Sequence, residues 1–209
     1  IKYEEKDPLL IKSLKAVYPR FGLNPLVAKL AENVLQNTSS YYSDAWPYPT
    51  RFTAELAQKH CLKITPQART YIKEMLGVSC LLTDLESTTP ARAFWQHSGL
   101  GLSSRQASIA LGIESPPSTI DVENSCNKLT NRLANIYGCE SESIRLYPSG
   151  MSAFFSALQI INTFNPARPT LQLGFPYVDV LKLPEIVFQG SKLLLTTNPD
   201  ELIAEIDQR

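Results

Sequence analysis

The residues with the clearest capacity for chemistry run Leu146-Tyr147-Pro148-Ser149-Gly150-Met151-Ser152-Ala153. A short apolar run breaks at Ser149-Gly150, and a helical pattern begins at about Met151. Gly150 lets backbone approach an anion closely, while Ser149 and Ser152 offer hydroxyl donors. The first amides of such a helix, with its dipole behind them, favour a phosphate. A plain strand-to-helix turn has the same pattern, and residue types alone leave both readings open. Two other phosphate-binding arrangements fail on spacing. No G-x-x-x-x-G-K-[ST] occurs. Gly99-Leu100-Gly101 lacks a third glycine and follows no convincing strand, so a dinucleotide fingerprint is not supported.

Other reactive side chains are scattered. Arg105 opens a helix, where its forked donors suit either a phosphate or bulk solvent. Tyr177 follows an apolar run and reads, on residue type alone, as a half-buried aromatic. His97 is one of two histidines, in the aromatic and glycine-bearing segment Phe94-Trp95-Gln96-His97-Ser98-Gly99. As a general base it would need reach to a reacting carbon; structural and substrate-contact roles are the other readings. His60-Cys61 is adjacent in sequence, but helix neighbours point about 100° apart and rarely share a metal. No metal site is expected.

The elements that must position these groups change character along the chain. Pro25 to Leu35 reads as a helix, with Asn24 placed to cap and Pro25 at its first position. Thr50 to Gln58 and Pro66 to Leu76 read as two more, the second closed by Gly77. Between the first two, the aromatic and proline-rich Tyr41 to Pro49 reads as a loop pinned by packing. Val78 to Leu82 reads as a strand and Ser118 to Tyr137 as a long helix ended by Gly138. Beyond it, Ile144 to Tyr147, Leu171 to Phe175 and Leu193 to Thr196 are short apolar runs separated by helical stretches, the last being Pro199 to Ile206 behind Asn198. That alternation predicts βαβ units and a parallel sheet. The expected class is therefore α/β. Residues 1–92 form a helical N-terminal region, 93–142 a connecting segment with the long helix, and 143–209 the first half of a doubly wound domain. A parallel sheet needs both faces covered, so this half should be stable only with further sequence or another chain.

Composition bounds the partners. Twenty basic residues balance twenty acidic ones among 209, so no field favours nucleic acid or an anionic membrane. Apolar content of 44% with 19% charged residues is ordinary for a globular protein. No apolar run approaches the roughly 20 residues that span a bilayer. Cys61, Cys80, Cys126 and Cys139 lie far apart and form no C-x-x-C pair, which suits a reducing, cytoplasmic setting. The opening Ile1-Lys2-Tyr3, without an initiator Met, is expected to lie inside a longer polypeptide.

Together, several segments carry a resemblance. Tyr18-Pro19-Arg20-Phe21, Phe94-Trp95-Gln96-His97 before Ser104-Arg105, Leu146 to Ala153, and Gly174-Phe175-Pro176-Tyr177-Val178-Asp179 occur in the order found in the Cys/Met-metabolism family of pyridoxal-phosphate enzymes. The chain resembles the fungal type of cystathionine γ-synthase, from about Leu10 onward. The resemblance implies a fold-type I domain, only partly contained here. It implies that Ser149, Gly150 and Met151 hold the cofactor phosphate and that Tyr177 stacks on the pyridine ring. It further implies that Arg105 clamps the phosphate of a neighbouring subunit in a dimer or tetramer. Ser103 stands where the family usually carries a tyrosine that assists at the reacting carbon.

The implied reaction is γ-replacement on an O-acylated homoserine by a thiol such as cysteine. The α- and β-protons are lost, the acyl group leaves and the nucleophile adds at the γ-carbon. The family's Schiff-base lysine and pyridine-pairing aspartate match positions beyond Arg209, and Lys182 and Lys192 read as solvated or edge residues. No catalytic residue is therefore expected in this chain. Two alternatives follow. The same fold could form a C–C or C–N bond at the γ-carbon, or the chain could be an inactive interaction module.

Overall fold

A computed structural model describes residues 7–14, 21–117, 121–166 and 168–207. Tyr18, Pro19 and Arg20 of the first motif, and Ser118 and Ile120 of the expected long helix, lie outside them. After a short helix α1 (Pro8–Ser13), α2 (Pro25–Gln36) starts where Asn24 accepts a hydrogen bond from the Leu26 amide at 3.0 Å, with Pro25 at the first position. Its Val27, Leu30, Ala31 and Val34 recur at helical spacing and are all buried.

The expectation of a helical N-terminal region with one strand at Val78 to Leu82 is corrected by a three-stranded antiparallel sheet, in which that strand is the central one. Its strands are β1 (Asp44–Tyr48), β2 (Thr70–Met75) and β3 (Val78–Thr83), in the order β1-β3-β2. Helix α3 (Arg51–Ile64), opened by a Thr50–Thr53 capping box, lies between β1 and β2 in sequence. The expected loop over Tyr41 to Pro49 contains β1, which pairs with β3 from Asp44↔Thr83 to Tyr48↔Ser79. Pro47 is tolerated because β1 is an edge strand, where a missing amide breaks no ladder on its open side. The Pro47 carbonyl accepts from the Leu102 amide at 3.0 Å.

The expected helix over Pro66 to Leu76 is instead mostly β2. Leu76 and Gly77 both have positive φ (55° and 75°), the requirement of a two-residue hairpin loop joining Met75 to Val78. Gly77 thus turns a hairpin rather than ending a helix. All six residues of β3 are buried, as befits the central strand.

Helices α4 (Thr88–Ser98) and α5 (Ser104–Ala110) follow, then α6 (Val122–Tyr137), a 3-10 turn (Ser141–Ser143) and α7 (Gly150–Phe164). Ile144 to Tyr147, expected as a strand, is not one. No described strand lies alongside it, and Leu146 and Tyr147 are exposed. The chain then forms β4 (Thr170–Leu173), α8 (Val178–Val187), β5 (Ser191–Leu194) and α9 (Pro199–Asp207). Strands β4 and β5 pair in parallel from Thr170↔Ser191 to Leu173↔Leu194, so the expected βαβ unit is present, as a two-stranded sheet.

One apolar core runs from α2 and the antiparallel sheet through α4 to Phe155 of α7 and Leu183 of α8. Phe94 is its hub. The ring lies 6.4 Å from Tyr48, 5.4 Å from His60 and 5.6 Å from Phe155, centroid to centroid. Phe155 in turn meets Phe188 at 5.5 Å. No described helix is long and apolar enough to cross a membrane.

Candidate cofactor site

Three helix ends converge beside α4. The sequence Ser149-Gly150-Met151-Ser152 starts α7 with a reciprocal capping box. Ser149 Oγ accepts from the Ser152 amide at 3.1 Å, and Ser152 Oγ accepts from the Ser149 amide at 3.0 Å. That leaves the amides of Gly150 and Met151, which donate no hydrogen bond to a described residue. A Cβ added at Gly150 would meet nothing within 4 Å, so no other part of the described structure crowds that side of the backbone at Gly150.

The α7 start is held by the end of α4. Gly99 (φ 70°) closes α4, and a Cβ there would lie 2.6 Å from Met151 Cβ and 2.7 Å from the Ser152 nitrogen. Only glycine permits both the left-handed backbone and that close approach. The third end is that of α8. Gly174 (φ 71°) turns the chain out of β4, and Tyr177 is the residue before the first turn of α8.

Between these ends lies a cavity of about 490 Å³. Ser149, Gly150 and Met151 form one side; Tyr177, Asp179 and Val180 form another; Gln96 and Gly99 close it from α4. The structure therefore brings together four of the five residues singled out in the sequence. The Tyr177 side chain is half exposed and makes no ring or hydrogen-bond contact with described residues.

Arg105 is the one not brought in. It is exposed on α5, outside the cavity lining, with no ion pair to a described residue. Ser103 caps α5, accepting from the Gln106 amide at 3.2 Å while Gln106 Oε1 accepts from the Ser103 amide at 3.1 Å. Lys182 pairs with Glu185 at 3.0 Å and Lys192 with Glu205, both at exposed positions as expected.

Asp179 is a site residue that residue-by-residue reading misses. It is buried, lines the cavity and meets His97 Nδ1 of α4 at 3.1 Å. Elsewhere, burial, with a smaller push from Lys63, lowers the His60 pKa to about 4. Burial raises the Cys61 thiol to about 12. Neither His60 ring nitrogen has a partner among the described residues. Those residues contain no group of three or more His, Cys, Asp or Glu that could hold a metal.

The chemistry on offer is recognition of an anion joined to a flat ring. Two free amides at a helix start suit a phosphate, and an aromatic side chain across the same cavity suits a planar partner. Comparison with known proteins adds one similarity. The chain is 27% identical over 213 residues to L-2-amino-4-chloropent-4-enoate dechlorinase/desaturase of Streptantibioticus cattleyicolor. The alignment covers 98% of this chain and 42% of that enzyme, so the chain spans less than half of its relative's length. No protein-family model and no solved structure matches the chain.

Proposed function

We propose that the chain forms part of a pyridoxal-phosphate-dependent enzyme that acts at the γ-carbon of an α-amino acid. The observation that carries this reading is the pair of unpartnered amides, Gly150 and Met151, opening onto the same cavity as Tyr177. Ser149, Gly150 and Met151 would bind the cofactor phosphate, and Tyr177 would lie along its ring. When bound, that group supplies an electron sink for charge developing at the substrate carbons. Arg105, exposed and outside the cavity lining, would serve a second subunit of a dimer or tetramer. A fold-type I domain, of which β4-α8-β5 would be one unit, is the architecture this reading requires.

The relative's name supports the choice of carbon. In a 2-amino-4-chloropent-4-enoate the chlorine sits on C4, which is γ to the carboxylate. Loss of a leaving group from that carbon is the first half of a γ-replacement. For this chain we favour replacement on an O-acylated homoserine by a thiol such as cysteine, in the cytoplasm, on the strength of the fungal-type motifs. The name dechlorinase/desaturase favours a second reading, elimination without an incoming nucleophile.

The full-length protein, supplied with pyridoxal phosphate and an O-acylhomoserine with and without cysteine, tests both. A thioether product formed only with cysteine is the expected result. A 2-oxo acid and ammonia formed regardless of cysteine would establish elimination instead. Absence of any visible cofactor absorbance in the purified protein would end the proposal.

A further inference from the structure

The cavity wall has a second polar component, formed between α4 and α8. Asp179 occupies the first turn of α8, and its side chain is only 3% exposed. A carboxylate so deeply buried needs donors, since it can only accept. His97, in the last turn of α4, supplies one from Nδ1 at 3.1 Å. Because the carboxylate accepts, Nδ1 carries the hydrogen. Asp179 also sits at the favourable end of its helix dipole, the N-terminus of α8.

The consequence lies in what α4 then holds. Two residues beyond His97, Gly99 touches Met151 and the Ser152 nitrogen, fixing the start of α7. Two residues before Asp179, Tyr177 enters α8 with no ring or hydrogen-bond contact from its side chain to the described residues. The separation between the free amides and the Tyr177 ring is thus set through one turn of α4. We propose that His97 and Asp179 are a positioning pair, which locks the first turn of α8 so that Tyr177 and the Gly150–Met151 amides engage one cofactor together. This inference rests on the cofactor reading above.

The test uses the full-length protein and pyridoxal phosphate as the probe. Asp179→Ala should weaken cofactor affinity about tenfold and speed amide hydrogen exchange in the first turn of α8 without cofactor present. If the pair acts through Tyr177, Asp179→Ala should add nothing in a Tyr177→Ala background. His97→Ala should behave like Asp179→Ala. His97→Asn, which keeps an N–H donor near the position of Nδ1, should restore affinity to within about threefold of wild type.

Unchanged exchange in Asp179→Ala overturns the inference, as does an additive loss in the double variant. A folded His97→Asn protein as impaired as His97→Ala overturns it as well. In each of these cases the wild type still binds cofactor and the functional proposal stands. A wild-type protein that binds no pyridoxal phosphate removes both.

Discussion

The region from Pro25 to Ala107 and the region from Val122 to Asp207 differ in how they treat their apolar side chains. In the first, every residue of β3 is buried, α2 and α3 each hide a helical stripe, and Phe94 joins the layers. In the second, α6 buries only Ala134 among its described residues, while Val122, Leu129, Ile136 and Tyr137 are exposed. Phe164 is 79% exposed and Phe175 is 98% exposed beside a two-stranded parallel sheet. A parallel sheet ordinarily has both faces covered. The first region holds most of the buried apolar side chains. The second supplies two amides and a tyrosine without hydrogen-bond partners among the described residues, at a cavity that Gln96 and Gly99 of the first region help to line. The candidate site lies where local hydrogen bonding and burial are less complete.

Two phenylalanines break or sharpen that contrast. Phe94 is 1% exposed and touches rings from three other elements. Phe94→Ala is expected to cost about 3–5 kcal/mol in urea denaturation, since the cavity cannot collapse around so many fixed neighbours. Phe164→Ala, at an exposed position, is expected to fall within about 0.5 kcal/mol of wild type. Equal losses at the two positions would show that the second region is packed as tightly as the first.

A smaller effect follows from His60, buried against Phe94 with both ring nitrogens unpartnered. Its folded pKa, about 4, lies below the ordinary value of 6.5 for an unfolded histidine. The folded state therefore favours the neutral ring. Its contribution is fully present above pH 6.5 and is lost as pH falls toward 4, by at most about 3 kcal/mol. His60→Phe should flatten the dependence of the denaturation midpoint on pH in that window. If wild type and variant lose stability in parallel between pH 6.5 and 4, His60 is not the group responsible.

The same contrast explains which parts of the molecule are legible in the sequence. Helix α2 is legible because Asn24-Pro25 and the spacing of Val27, Leu30, Ala31 and Val34 act within a few residues. Strand β2 is not, because Pro66 and Gly77 imitate a helix start and stop. What decides it is pairing with β3, together with the positive φ of Leu76. Strand β1 is hidden by Pro47, which becomes acceptable only once the strand lies at a sheet edge. Ile144 to Tyr147 has strand-like residues but no described partner strand. At the site, Ser149 to Met151 carry a local signature of turn and helix start, whereas Tyr177 reads locally only as a half-buried aromatic and is singled out through the family resemblance. Asp179 and His97 lie 82 residues apart, and nothing local in either segment announces their meeting.

The smallest effect separates the two regions most finely, because it compares the same device in both. Ser103 caps α5 through Gln106, and Ser149 caps α7 through Ser152. Removing either hydroxyl forfeits one amide–oxygen bond at a helix start, so Ser103→Ala and Ser149→Ala should each cost about 1 kcal/mol of stability. Their effects on the cavity should diverge. Ser103 and its helix lie outside the lining, whereas Ser149 borders the cavity and adjoins the Gly150 amide. In the full-length protein, pyridoxal-phosphate affinity should therefore fall with Ser149→Ala and stay at the wild-type level with Ser103→Ala. Matched losses of affinity would mean that α5 and α7 bind as one unit through a route the two capping boxes do not describe. Matched retention would mean that the two amides of α7 act without their cap, and that the hydroxyl at Ser149 serves folding alone.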